Sequence, residues 1–131
     1  MIEKGALMQS IVNVRLVTPQ AVIENAVIVV EAGRLLACGP AADIKPAPEG
    51  SRVDAGGRYA IPGFIDIHCH GGGGHYVHEA PETVIDAHLR HGTTGLVGTM
   101  VLLEREALLD GVRTLAGVRH PALVGLHLEG P

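Results

Sequence analysis

Two histidines, His68 and His70, stand one residue apart in the 131-residue sequence. They close the short apolar run Phe64 to Ile67 and are followed by four glycines, Gly71 to Gly74. Alternate residues of a strand point to the same face, so this spacing aims two imidazoles at one spot where a strand runs out into a loop. Two neutral imidazoles converging on a point suit a borderline divalent metal such as Zn²⁺. Two unrelated polar residues at a strand end would look the same, so the weight has to come from elsewhere. Near the other end of the sequence His127 and Glu129 show the same spacing. A carboxylate is the natural partner of two histidines in a metal site. Alone, Glu129 reads as a solvated strand-end acid; on the same rim as the histidine pair it becomes a candidate ligand. His127 reads equally well as a residue lining the site or as a hydrogen-bonded core histidine. Cys69 lies between the two histidines, is expected on the opposite strand face, and is not counted as a ligand.

The elements that must position these groups change character near residue 60. Residues 1–60 read as short strands and turns: Ile11 to Val17, Ala26 to Val30, a hairpin turn at Glu31-Ala32-Gly33-Arg34, then Leu35 to Cys38. Residues 42–49 read as a loop, and Arg52-Val53-Asp54 as a brief strand before Gly56-Gly57. This is the pattern of a small β-sandwich or meander with little core of its own. Residues 61–131 read as strand, loop, helix, strand, helix, strand. Gly63 to Ile67 is the first strand and Gly71–Gly74 its following loop. Pro81 starts a helix whose apolar face is Val84, Ile85, His88 and Leu89, capped at Gly92. Thr93 to Met100 is a buried strand. Glu104 to Arg119 is a helix with Leu108, Val112 and Leu115 inward, weakened by Gly111 and Gly117. Ala122 to Leu128 is a third buried strand. Continuous apolar strands alternating with helices imply parallel pairing, with functional groups gathered at the strands' carboxyl ends. Three parallel strands leave both sheet edges open and no helix follows the last. These features are expected of the N-terminal piece of a larger protein.

Composition narrows the function classes. Nearly half the residues are apolar and the net charge is −4 with both signs interspersed. That is a globular chain without a basic nucleic-acid footprint. The aromatics are only Tyr59, Phe64 and Tyr76, which gives no platform for stacking bases. Cys38 and Cys69 have no CxxC spacing and read as reduced thiols of a cytoplasmic protein. Met1 to Ser10 lacks the charged and apolar regions of a signal peptide, and no apolar run is long enough to span a bilayer.

The segment Pro62-Gly63-Phe64-Ile65-Asp66-Ile67-His68-Cys69-His70 resembles the first-strand signature of the amidohydrolase superfamily of metal-dependent hydrolases. Gly71–Gly74, His91-Gly92-Thr93-Thr94 and above all His127-Leu128-Glu129-Gly130-Pro131 resemble the family of N-acetylglucosamine-6-phosphate deacetylases within it. The resemblance implies an α/β fold: part of a small β-sandwich in residues 1–60, then the first three β/α units of a truncated (β/α)₈ TIM-type barrel in residues 61–131. A whole barrel takes about 250 residues. It implies Glu129 as principal metal ligand, His68 and His70 as ligands of the same or a second ion, and one or two divalent ions, zinc or iron. It implies an amino-sugar phosphate substrate, a homodimer at full length, and a general-base aspartate downstream of Pro131. No catalytic residue is therefore assigned within the chain, which is expected to be inactive alone. Asp66 belongs to the motif but receives no catalytic role. His75 and His78 depart from the family pattern and read as surface histidines or as groups that tune access. Two other readings remain: an amidohydrolase acting on a cyclic amide, like dihydroorotases and hydantoinases, and a non-catalytic metal-binding module built on the His68–His78 segment.

Overall fold

The computed structural model describes residues 7–130. The signal-peptide reading up to Ala6 and Pro131 of the terminal motif lie outside the described residues. The chain divides after Pro62 into two compact units. In the first, β1 (Gln9–Val17), β2 (Val22–Glu31), β3 (Arg34–Pro40), β4 (Arg52–Asp54) and β5 (Tyr59–Ala60) form one sheet of order β3-β2-β1-β4, with β5 also on β1. The β1–β2 and β2–β3 pairs are antiparallel, whereas β4 and β5 run parallel to β1. Ala32 and Gly33 both have positive φ, 50° and 71°, as a two-residue primed hairpin turn between β2 and β3 requires. Val14, Leu16 and Ala26 form the small core. The loop at 42–49 is tied to the sheet by the buried Ser10 hydroxyl, which accepts the Ala47 N–H at 2.8 Å. Strand β5 was not anticipated; two residues are too few to show a period.

The second unit runs β6 (Phe64–Cys69), β7 (Gly71–Gly72), β8 (His75–Tyr76), α1 (Pro81–Leu89), β9 (Thr93–Met100), α2 (Arg105–Gly117) and β10 (Leu123–Leu128). β6, β9 and β10 make a parallel sheet of order β10-β9-β6, with α1 and α2 as the two connections. Helix α1 begins with Pro81 in its first turn and ends before Gly92, whose φ of +91° only glycine adopts without strain. The Gly92 carbonyl then accepts the Phe64 N–H at 2.9 Å, tying the helix exit to the start of β6. Leu96 and Met100 of the central strand pack with Val84 and Ile85 of α1 and Leu115 of α2, and Cys69 and Val77 join the same core. Each large apolar side chain buried this way contributes about 1.5–3 kcal/mol.

Three features differ from the reading of the sequence. The Gly71–Gly74 loop is a miniature antiparallel hairpin, β7 on β8, turning at Gly73 and Gly74 with φ of 61° and 88°. Strand β6 is not buried along its length: Ile65 and Ile67 are 67% and 75% exposed. Ile65 and Ile67 face the side of the sheet that the helices do not cover, so of the strand's apolar residues only Cys69 reaches the core, and β10 is likewise exposed there at Val124. Gly111, expected to weaken α2, is buried where Met100 crosses the helix, and a Cβ there would meet Met100 Cε and come within 3.2 Å of His78 Cβ. In an exposed helix Gly→Ala gains about 1 kcal/mol, but overpacking a filled core costs about 1–3 kcal/mol. Gly111→Ala should therefore lower stability by about 1 kcal/mol in urea unfolding, and a gain would show that Met100 moves aside freely.

Candidate metal centre

The geometry at the histidine pair begins with a register shift. Asp66 pairs with Leu96 and Cys69 with Gly98, so two residues of β6, Ile67 and His68, stand opposite one of β9. An inserted residue of this kind bends the strand and re-aims side chains, and such bulges concentrate near functional sites. The turn is held locally because the Asp66 carboxylate accepts the His68 N–H at 3.0 Å. The buried Thr99 hydroxyl accepts the Cys69 N–H at 3.1 Å, supplying the partner that the interrupted ladder does not. His68 and His70 lie on the face away from Asp66 with their Nε2 atoms 3.2 Å apart, and Cys69 turns into the core on the other side.

Glu129 follows β10, the neighbour of β9 on its other side, and its N–H donates to the Met100 carbonyl at 3.2 Å. Its carboxylate lies 3.2 Å from His70 Nε2 and 3.8 Å from His68 Nε2. A tetrahedral centre with bonds of about 2.0–2.1 Å separates its ligand atoms by about 3.3–3.4 Å, so the three observed spacings suit one small ion. The tautomer agrees: His70 Nδ1 is 3.3 Å from the Thr99 carbonyl, which can only accept, so Nδ1 carries the hydrogen and the lone pair is on Nε2. Metal-binding histidines regularly donate their second nitrogen in this way. All three side chains are partly exposed, between 36% and 50%, which leaves room for water or substrate.

His127 is half-buried, with its ring centroid 5.0 Å from that of His68 and its Nδ1 3.5 Å from the Thr99 hydroxyl. It borders the donor set without joining it. Asp66, Cys69 and His88 also gather their donor atoms within 4.8 Å on the helix side of β6. There the groups are engaged already: Asp66 holds the bulge, and His88 Nε2 lies 3.1 Å from the Gly71 carbonyl, so it donates and has no lone pair to offer. His75 is exposed on β8 and, with Tyr76 and Glu79, lines a cleft of about 350 Å³ that opens beside His70. His78 is half-buried rather than on the surface. Its ring stacks on Tyr76 and its Nδ1 is buried without a partner. The residue that sequence reasoning passed over is Thr99. Its one signal was a hydroxyl at the end of an otherwise apolar strand.

Among the described residues no helix is long and apolar enough to cross a membrane. No family model matches the chain. In solved structures it is similar to N-acetylglucosamine-6-phosphate deacetylase from Pasteurella multocida, at 26% identity and a TM-score of 0.76, covering 95% of this chain and 34% of that one. The Mycobacterium smegmatis N-acetyl-D-glucosamine-6-phosphate deacetylase, a variant in complex with N-acetyl-D-glucosamine-6-phosphate, gives 28% identity, a TM-score of 0.76 and coverages of 95% and 33%. By sequence it is 36% identical over 91 residues to N-acetylglucosamine-6-phosphate deacetylase of Homo sapiens, 61% of this chain and 22% of that protein. It is 32% identical over 113 residues to an adenine deaminase of Mesorhizobium japonicum, 84% of this chain and 18% of that protein. The chain thus spans about a third of the length of the solved structures and a fifth or less of most of the curated relatives it matches. These relatives and neighbours are hydrolytic amidohydrolases, deacetylases and deaminases.

Both cysteines are free, Cys38 exposed and Cys69 buried. Burial pushes the Cys69 thiol above its ordinary pKa; the contact with the Gly71 carbonyl opposes the rise and the Asp66 carboxylate adds to it. The folded chain should therefore react quickly with a chromogenic disulfide at one thiol only, the second appearing on addition of denaturant. Two fast thiols in the native state would contradict this placement of Cys69.

Proposed function

From this likeness to hydrolytic amidohydrolases, we propose that the chain is the metal-bearing opening of a sugar-phosphate deacetylase that releases acetate from N-acetylglucosamine 6-phosphate. In this reading residues 1–60 belong to the small β-sandwich domain and residues 61–131 open the (β/α)₈ barrel. The observation that carries it is the donor set. Two imidazole nitrogens and a carboxylate from non-adjacent strands stand 3.2–3.8 Å apart at the carboxyl ends of parallel strands. Barrel enzymes carry their chemistry at that end. The residues fit one divalent ion, zinc or iron, with a second ion as the family's variant.

When bound, such an ion polarises the acetamide carbonyl and supplies a water acidified to near-neutral pH. The chain's own groups hold and orient. Glu129 supplies the negative charge and His70 presents Nε2 because its Nδ1 is committed to Thr99. His68 completes the set and His127 lines it. The cleft beside His70 gives a small amino-sugar phosphate a place to lie, with His75, Tyr76 and Glu79 along one side. The general base is assigned to an aspartate beyond residue 131, from the family resemblance. A homodimer in the cytoplasm completes the proposal, and two free cysteines fit that compartment. A second reading, hydrolytic deamination of a ring amidine, is favoured by the adenine deaminase among the sequence relatives.

Zinc titration against a chromophoric chelator tests the site. Wild type should bind Zn²⁺, and Glu129→Gln or His70→Ala should weaken binding by more than the roughly 10–100-fold typical of losing an outer hydrogen-bond partner. Unchanged binding in both variants would remove the site. A chimera placing this chain in the corresponding third of the Pasteurella enzyme tests the reaction. Acetate release from N-acetylglucosamine 6-phosphate is expected, whereas ammonia release from adenine without acetate would select the deaminase reading.

A further inference from the structure

The bulge that turns His68 and His70 toward Glu129 is not self-supporting, and one side chain completes it. Thr99 is 1% exposed, an almost fully buried hydroxyl in a strand otherwise made of apolar residues, glycines and its two opening threonines. It serves all three strands of the sheet at once. Its hydroxyl accepts the Cys69 N–H of β6 at 3.1 Å, between the two histidines. Its carbonyl takes the His70 Nδ1 hydrogen at 3.3 Å. The same hydroxyl lies 3.5 Å from His127 Nδ1 on β10 and 3.4 Å from the Val97 carbonyl. A hydroxyl has one hydrogen and two lone pairs. While it accepts from Cys69, its hydrogen remains for His127 or the Val97 carbonyl.

We propose that Thr99 is the positioning residue of the metal centre: its hydroxyl fixes the β6 bulge, and through it the face on which the two histidine nitrogens meet Glu129. The proposal rests on the reading of His68, His70 and Glu129 as the metal site. Replacing the hydroxyl by a methyl leaves the Cys69 N–H without its partner while the side chain keeps its shape. The strand can then regain a partner by sliding out of the bulge, which turns the histidine pair to the other face, away from Glu129. Donor spacing is thereby lost without removal of any ligand. The Thr99 carbonyl is backbone and survives substitution, so the loss is traced to the hydroxyl alone.

The experiment is zinc affinity of the full chain in wild type, Thr99→Val, Thr99→Ser and Glu129→Gln, with far-UV circular dichroism of each and the visible spectrum of the cobalt form. Thr99→Val should bind Zn²⁺ about 10–100-fold more weakly with its secondary structure intact, and its cobalt absorption should weaken toward that of a higher-coordinate, water-rich site. Thr99→Ser should recover affinity to within about 3-fold of wild type, because it keeps the hydroxyl. Wild-type affinity in Thr99→Val would overturn the proposal alone, and so would an equal loss in the serine variant, which would show that the methyl group matters instead. Wild type that binds no zinc, or binds it as well in Glu129→Gln, would overturn the site and the proposal together. If Thr99→Val does not fold, amide hydrogen exchange of wild type decides: a protected Cys69 N–H supports the bond to the Thr99 hydroxyl, and one that exchanges as fast as a free amide overturns it.

Discussion

Backbone pairing between β6 and β9 governs the site. A parallel ladder held in register beyond Asp66 would keep His68 and His70 on the Asp66 face of β6 and turn both away from a carboxylate on the far strand. The pairing slips by one residue between Asp66 and Cys69, and the slip reverses that alternation. Asp66 then faces the helices, and the two histidines meet on the opposite side. A slipped ladder strands backbone donors, and buried donors must be paired. The Asp66 carboxylate takes one and the Thr99 hydroxyl takes another. The motif's aspartate is thus a structural acceptor for the strand that carries the donors, which accounts for its place two residues before His68.

Much of this was legible in the sequence, because the signals were local. The central strand Thr93–Met100 reads identically in pattern and in structure, and both helices begin and end within two residues of where Pro81, Gly92 and the Leu108–Val112–Leu115 stripe put them. The convergence of His68 and His70 followed from spacing alone, and Glu129 from lying at the end of another parallel strand. The bulge was not legible, since it depends on which residue of β9 faces which residue of β6, and those are about thirty positions apart. The same non-locality hid Thr99, whose partners lie on β6 and β10. Gly111 was misread for a related reason: helix propensity is intrinsic, but the space over that glycine is set by Met100 from a different element.

Burial in the second unit is one-sided. The core lies between the sheet and its two helices, whereas Ile65, Ile67 and Val124 are exposed at 67%, 75% and 58%. Apolar β-strand faces of this kind belong inside a layered or closed structure. The donor atoms sit at the strand ends of this same unit, so the scaffold that orders them is the buried side, through Thr99 and Cys69. Placing the fixed ends of the site against a packed core and its reactive ends toward open space is how a rigid site stays accessible.

The glycine hairpin after His70 has a consequence for how this surface can change. Gly71 approaches the His75 carbonyl so closely that any Cβ would collide with backbone, and Gly72 has His88 Nε2 at 3.0 Å from where its own would be. Gly71 cannot drift to a larger residue without dismantling the hairpin, and at Gly72 a larger residue has to push the His88 ring aside. His75, Tyr76 and Glu79 carry their side chains into the cleft without that restriction. Variation among descendants of this sequence is therefore channelled: the glycine side of the cleft is frozen by its backbone, and selection for a differently shaped ligand has the opposite wall to work on.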